Sequence, residues 1–188
     1  MAMRVNELKK GHVFREEGEL WLVVDMDHVK PGKGPAYFQI KRKNLKTGRV
    51  VGSRYNSSAA IDFVFLETKN LKYGWPEGEQ HVFTDENYEQ FWLTEEELGE
   101  TVPFLTSEQD LKVKFSGETP VAVELPSAVE LLVTETEPGV KGDTVSNVFK
   151  PAKVETGLEI KVPFHISEGD RVKVSTESGE FLGRVSTG

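Results

Sequence analysis

The residues of this chain best placed to do chemistry are His28-Val29-Lys30-Pro31-Gly32-Lys33-Gly34-Pro35-Ala36. Their tip is a palindrome, Pro-Gly-Lys-Gly-Pro. Pro31 and Pro35 each fix φ near about −65°, and Pro35 also pushes Gly34 out of the helical region. Gly32 and Gly34 carry no side chain, so the tip is thin and one amine, that of Lys33, projects from it alone. Its chemistry is that of a compact cation with three donors, suited to a crowded anionic cleft. A solvated hairpin turn with an ordinary surface lysine has the same nine residues. The rest of the chain must decide between them.

No competing constellation assembles. The four histidines, His12, His28, His81 and His165, are far apart without zinc-ligand spacing, and there is no cysteine to join them. His28, at the base of the hairpin, fits a packing or hydrogen-bonding role better than a ligand. Glu95-Glu96-Glu97 and Asp85-Glu86 contain the carboxylates of a glycosidase pair, but such runs usually mark a helix N-terminus or a solvated face. Gly32 and Gly34 lead from strand to strand, whereas nucleotide-binding glycine loops lead into a helix. The sequence therefore calls for no metal and no cofactor, and for no enzyme active site.

The nine residues lie between two strand-like runs, Leu20–Asp27 and Ala36–Lys43, which makes them a hairpin loop. Before them, residues 4–11 fit one helical turn capped by Asn6 and stopped by Gly11, followed by a strand over His12–Arg15. After them, the Lys46-Thr47-Gly48 turn leads into a strand over Arg49–Asn56. Four or five short strands within residues 1–64 predict a small SH3/KOW-like barrel. The stretch Asp62–Thr68 reads as the passage to a second module, residues 65–127. Its strands are expected at Leu71–Trp75, His81–Thr84, Phe91–Leu93, Lys112–Ser116 and Pro120–Leu125. Thr94-Glu95-Glu96-Glu97 is a capping box for a short helix. A third module, residues 128–188, has strands expected at Val129–Glu135, Lys153–Glu155, Leu158–Pro163, Arg171–Ser175 and Phe181–Val185. The fold class is all-β, with OB-like barrels for modules two and three.

The formal net charge of −8 conceals an asymmetry. Residues 1–64 hold 12 Lys and Arg against 7 Asp and Glu, a net of +5; residues 65–127 hold 4 against 14, a net of −10; residues 128–188 hold 7 against 10, a net of −3. A basic first module beside an acidic second suggests a modular chain with one end on RNA. Lys41, Arg42, Lys43, Lys46, Arg49 and Arg54 supply the basic surface, and charged strand edges also discourage aggregation. The N-terminal residues lack the apolar run of a signal peptide, and no segment approaches the ~20 apolar residues of a membrane span. The chain reads as cytoplasmic, without a membrane partner.

The run His28–Ala36, followed by Asn44-Leu45-Lys46-Thr47-Gly48, closely resembles the first domain of the bacterial elongation factor P family. Asn87-Tyr88-Glu89-Gln90 is similar to the family's middle domain. The most specific likeness begins at Glu137-Pro138-Gly139-Val140-Lys141-Gly142-Asp143-Thr144. It continues through Lys150-Pro151-Ala152, Glu155-Thr156-Gly157, Val162-Pro163 and Glu168-Gly169-Asp170. The likeness spans essentially the whole chain, including a third domain absent from the family's hypusine-bearing eukaryotic and archaeal counterpart.

The resemblance implies an L-shaped, tRNA-like translation factor of three β-barrels that is monomeric and not an enzyme. Its partners are the 70S ribosome, between the P and E sites, and the P-site peptidyl-tRNA, and its task is peptide-bond formation at consecutive prolines. Lys33 is the functional tip, in a loop of Lys30, Pro31, Gly32, Gly34 and Pro35. Lys41, Arg42, Lys43 and Arg54 are the expected tRNA or rRNA contacts. Gly142, Asp143 and Thr144 form the codon-facing loop, and Arg184 is a small-subunit contact. Family members extend a tip lysine with a β-lysyl or aminopentanol group, through a lysine-modifying enzyme, or add rhamnose to a tip arginine. Lysine excludes the rhamnose route, and the Pro-Gly-Lys-Gly-Pro tip resembles forms that work with a bare lysine. Two departures stand out. Gly179-Glu180-Phe181 replaces a common Gly-Glu-Tyr, removing a hydroxyl. Val145-Ser146-Asn147-Val148-Phe149 lacks the small, glycine-rich character usual there. A paralogue with a different tip and a plain RNA-binding protein of SH3 and OB modules are the alternatives.

Overall fold

A computed structural model describes residues 1–139 and 149–186. Sixteen strands among them form three sheets built from antiparallel pairs, as short strands joined by tight turns require. The first sheet comprises β1 (Ala2–Arg4), β2 (Val13–Glu16), β3 (Glu19–Val29), β4 (Tyr37–Asn44), β5 (Val50–Asn56) and β6 (Ala60–Val64), in the order β1-β6-β2-β3-β4-β5. Val5, Leu8, Phe14, Val23, Phe38, Ile40 and Ile61 fill its core.

Two expectations for this part are corrected. The helical turn over 4–11 is a single 3-10 turn, Val5–Glu7, and Asn6 is inside it. Arg4 holds the cap position, its N–H donating to Glu7 Oε2 at 2.7 Å. Burial of Val5 and Leu8 fixes one turn there, too little to offset the nucleation cost of an α-helix. The passage Asp62–Thr68 is also shorter than expected. β6 runs to Val64 and pairs with both β1 and β2, so Phe65 and Leu66 alone lie between it and the next strand. Buried Ile61 and Val64 belong to the first module.

The second sheet contains β7 (Glu67–Glu77), β8 (Gln80–Thr84), β9 (Gln90–Thr94), β10 (Asp110–Ser116) and β11 (Thr119–Glu124), in the order β11-β10-β7-β8-β9. Between β9 and β10 stand a one-turn helix, α1 (Glu95–Leu98), and a 3-10 segment, Gly99–Phe104. The predicted capping box is present: Glu97 N–H donates to Thr94 Oγ1 at 3.2 Å, and Thr94 N–H to Glu97 Oε2 at 2.9 Å. The third sheet contains β12 (Ala128–Thr136), β13 (Phe149–Val154), β14 (Glu159–Pro163), β15 (Arg171–Ser175) and β16 (Phe181–Arg184), in the order β14-β13-β12-β15-β16. Alternating Val, Ile and Leu residues, joined by Phe104, form its core. By compactness the chain divides into two units, residues 1–67 with 114–122, and residues 68–113 with 123–188.

Candidate functional site: the lysine hairpin and its basic sheet

The ladder of β3 and β4 runs out to Val29 opposite Tyr37, leaving Lys30–Ala36 as the loop. Lys33 is exposed, between the exposed Gly32 and Gly34, and its amine makes no hydrogen bond or ion pair among the described residues. Three contacts hold the base of the loop. The His28 ring stacks on Phe38, its cross-strand partner, with centroids 4.4 Å apart and planes 13° apart. The Arg54 guanidinium lies 3.6 Å from the Tyr37 ring centre. Ser57 Oγ donates to the Ala36 carbonyl at 2.8 Å, tying the loop's end to the turn after β5. His28 is therefore a packing residue, as its position suggested. Ser57 and the Tyr37–Arg54 stack cannot be read from the sequence, because they depend on how β4 pairs with β5.

The two tip glycines differ. Gly34 has φ +104°, outside the left-handed well that L-residues occasionally visit, whereas Gly32 has no such φ and open space around a Cβ. Gly34→Ala should therefore redirect the tip at a local cost of about 1–3 kcal/mol, with Gly32→Ala near neutral. Backbone amide shifts of residues 30–36 in each variant check this. Equal perturbation by both would remove the conformational role of Gly34.

Strand alternation sorts the basic residues. On β4, Phe38, Ile40, Arg42 and Asn44 face the core, while Gln39, Lys41 and Lys43 face outward. Lys41 and Lys43 are exposed, and the exposed Arg54 of β5 lies opposite Gln39 on the same outer face. Asp25 lies opposite Lys41 and Asp27 opposite Gln39, so this face mixes signs. Arg42 stands apart from its neighbours, its side chain 13% exposed. Its guanidinium lies 4.0 Å from the Trp21 ring centre and pairs with Glu16. The Asn44-Leu45-Lys46-Thr47-Gly48 signature also has a local cause. Buried Asn44 accepts from the Lys46 and Thr47 amides at 2.9 and 3.0 Å, and Gly48 follows at φ +74°.

In the third sheet, Arg184 donates to Asp170 Oδ1 at 2.9 Å, which fastens β16 to the Glu168-Gly169-Asp170 turn. Gly142, Asp143 and Thr144 lie outside the described residues. No group of three or more His, Asp or Glu is arranged to hold a metal among the described residues. The acids weighed as a glycosidase pair have local duties: Asp85 Oδ1 accepts from the Asn87 and Glu89 amides at 2.8 and 2.9 Å, and Glu97 completes the capping box. No helix among the described residues is long and apolar enough to cross a membrane.

Comparison with known proteins agrees with this architecture. A family model for the elongation factor P KOW-like domain matches residues 4–61, and one for the elongation factor P OB domain matches residues 66–123. A model for the elongation factor P C-terminal region matches residues 129–184. The solved initiation factor 5A of Methanococcus jannaschii shares the fold over 66% of this chain and 92% of its own, with TM-score 0.54 and 16% identity. The chain is thus a modular β protein with a KOW-like domain, an OB domain and a third β domain in series. Elongation factor P of Acidothermus cellulolyticus is 43% identical over 183 residues, 97% of this chain and 98% of the relative. That of Clostridioides difficile is 43% identical over 180 residues, 95% and 97% of the two chains. The chain belongs to the elongation factor P family, a family of translation elongation factors.

Proposed function

We propose that the protein binds the 70S ribosome between the P and E sites and promotes peptide-bond formation at consecutive prolines by positioning the P-site peptidyl-tRNA. The carrying observation is the isolated Lys33 amine at the end of a hairpin whose base is stacked and tethered. Proline reacts slowly because its amine is secondary and its ring constrained. Holding the peptidyl-tRNA in a reactive geometry lowers the entropic part of that barrier. Lys33 supplies a cation and three donors to the backbone and 2′-OH groups of the CCA end, while the bond-forming chemistry stays with the ribosome. On this reading the protein is a cytoplasmic monomer and not an enzyme. Lys33 works unmodified, because a loop stiffened by Pro31 and Pro35 loses little entropy on docking. A mass increment on Lys33 in native protein would overturn that last point, and would call for a lysine-modifying enzyme.

The outward cations Lys41, Lys43 and Arg54 form the tRNA-facing surface of the first domain. Replacing Lys41 and Lys43 by Gln should weaken ribosome binding and reduce its salt slope by about 1 for each phosphate no longer neutralised. Arg42→Gln belongs to a different class, because its guanidinium is engaged within the barrel. Co-sedimentation with ribosomes across a salt series, alongside translation of reporters with and without a Pro-Pro-Pro run, tests the reading. If the parent protein neither binds ribosomes nor relieves the proline run, the reading fails. An unchanged slope in the double variant removes electrostatic docking through this face.

A further inference from the structure

We propose that the middle sheet docks a basic protein segment, one carrying arginine or lysine, on an aromatic platform made by Trp75 and Trp92. Simple alternation along β7 would put Tyr73 and Trp75 on one face. The register breaks that pattern: Tyr73 opposes Phe83, and Trp75 opposes Val82, leaving Gly74 as an extra residue. A Cβ at Gly74 would approach the Val82 carbonyl oxygen at 3.2 Å, so the bulge is suited to glycine. Its consequence is that Trp75 joins the face of Val82. On the other side, Val82 opposes Trp92. One row of the sheet therefore reads Trp75, Val82, Trp92.

The valine in that row is 1% exposed, and Trp75 and Trp92 are each 47% exposed. The two tryptophans flank a buried valine yet keep nearly half of their own surface in water, which is costly for exposed aromatic residues without a partner. Trp92 is held in place, because Nε1–H donates to Glu77 Oε2 at 2.6 Å. The adjoining rows are Glu77, Gln80, Thr94 and Lys72, Thr84, Gln90. The Lys72 ammonium is 3.7 Å from both Glu108 and Asp110, so its charge is compensated.

Charge selects the occupant. Residues 65–127 carry a net charge of −10, and Glu77 stands at the platform itself. Stacked bases would suit the indoles, but their phosphates would meet this negative field. A guanidinium or ammonium gains from both features, lying over an indole face with a carboxylate beside it. This surface belongs to a different sheet from the Lys33 hairpin, and the inference stands whether or not the reading of that hairpin holds.

The test uses the full chain labelled with 15N and follows its three indole N–H signals, from Trp21, Trp75 and Trp92. The probe is a short peptide of arginine, glycine and serine, with a glutamate-for-arginine peptide and oligouridylate as comparisons. The expected result is a saturable, salt-sensitive shift of the Trp75 and Trp92 signals, with Trp21 unmoved. Trp92→Ala should weaken binding about tenfold, and Glu77→Gln several-fold, as for an aromatic anchor and its flanking charge. Both side chains are exposed, and unchanged backbone amide signals of the second sheet's buried Leu71, Phe83 and Leu93 report that each variant is folded. The proposal is overturned by the absence of saturation, by undiminished binding in Trp92→Ala, or by tighter binding of oligouridylate. It is equally overturned if the same signals shift on dilution of the protein alone, since a second copy would then occupy the platform.

Discussion

Lys33→Ala is expected to abolish rescue of proline-run synthesis while leaving the fold and most ribosome affinity intact. The side chain is exposed on a glycine-flanked tip and makes no hydrogen bond or ion pair among the described residues, so truncating it should cost less than ~0.5 kcal/mol. The hairpin is held instead by the His28–Phe38 stack, the Tyr37–Arg54 contact and the Ser57 hydroxyl. Ribosome affinity would be spread over a long basic and polar surface, of which one amine is a small part. The assistance proposed at the CCA end has no other cation within the tip, since Gly32 and Gly34 offer no side chain and Pro31 and Pro35 offer no charge. Lys33→Arg should recover activity only in part, because a planar guanidinium is bulkier than a compact ammonium. A reporter with and without a Pro-Pro-Pro run, read beside ribosome co-sedimentation, measures both quantities. Full rescue by Lys33→Ala would mean that the hairpin is not the working end, even in a true family member.

Much of this arrangement is legible in the sequence where local rules act alone. Prolines and glycines set the tip, Thr94 and Glu97 announce their capping box, and alternating apolar residues mark most strands. What escapes is set by pairing between distant residues. Asp62–Thr68 looks like a connection until β6 is seen to pair with β1 and β2, which a window of neighbouring residues does not contain. Tyr73-Gly74-Trp75 looks like ordinary alternation until the register places a bulge at Gly74. The tip of the hairpin is legible, but its tether through Ser57 to the Ala36 carbonyl depends on a turn about twenty residues further along the chain. Arg42 is the instructive case. Counting Lys41, Arg42 and Lys43 as one basic run ignores the period of two that separates them.

That period leads to the largest stability effect expected in the first domain, from Arg42→Ala. On the inner face of β4 the Arg42 guanidinium lies 4.0 Å from the Trp21 ring centre, 5.8 Å from that of Tyr55 and 5.9 Å from that of Phe14. It pairs with Glu16, which also accepts from the Tyr55 hydroxyl at 3.1 and 3.2 Å. Burial first, and the Glu16 carboxylate besides, push the Tyr55 hydroxyl up to about 12 against the opposing pull of Arg42, so it remains a donor at neutral pH. Truncating Arg42 leaves Glu16 with the Tyr55 hydroxyl but no cation, and opens a void between Trp21 and Tyr55. Breaking a partly buried pair and its packing together should cost about 2–3 kcal/mol, where Lys41→Ala should stay within about 0.5. Urea unfolding followed through the Trp21 indole N–H signal of 15N-labelled protein gives both values, and Arg42→Met separates lost volume from lost charge. The Tyr55 proton adds a second readout. Below its unfolded value of 10.0 the hydroxyl is protonated in both states, so it contributes no pH dependence. Between there and about 12 the unfolded chain ionises while the folded protein holds its proton, so stability falls as pH rises, and Tyr55→Phe should flatten that fall. An Arg42→Ala cost below about 0.5 kcal/mol would place the guanidinium outside the core, with Lys41 and Lys43 on the outer face of the sheet.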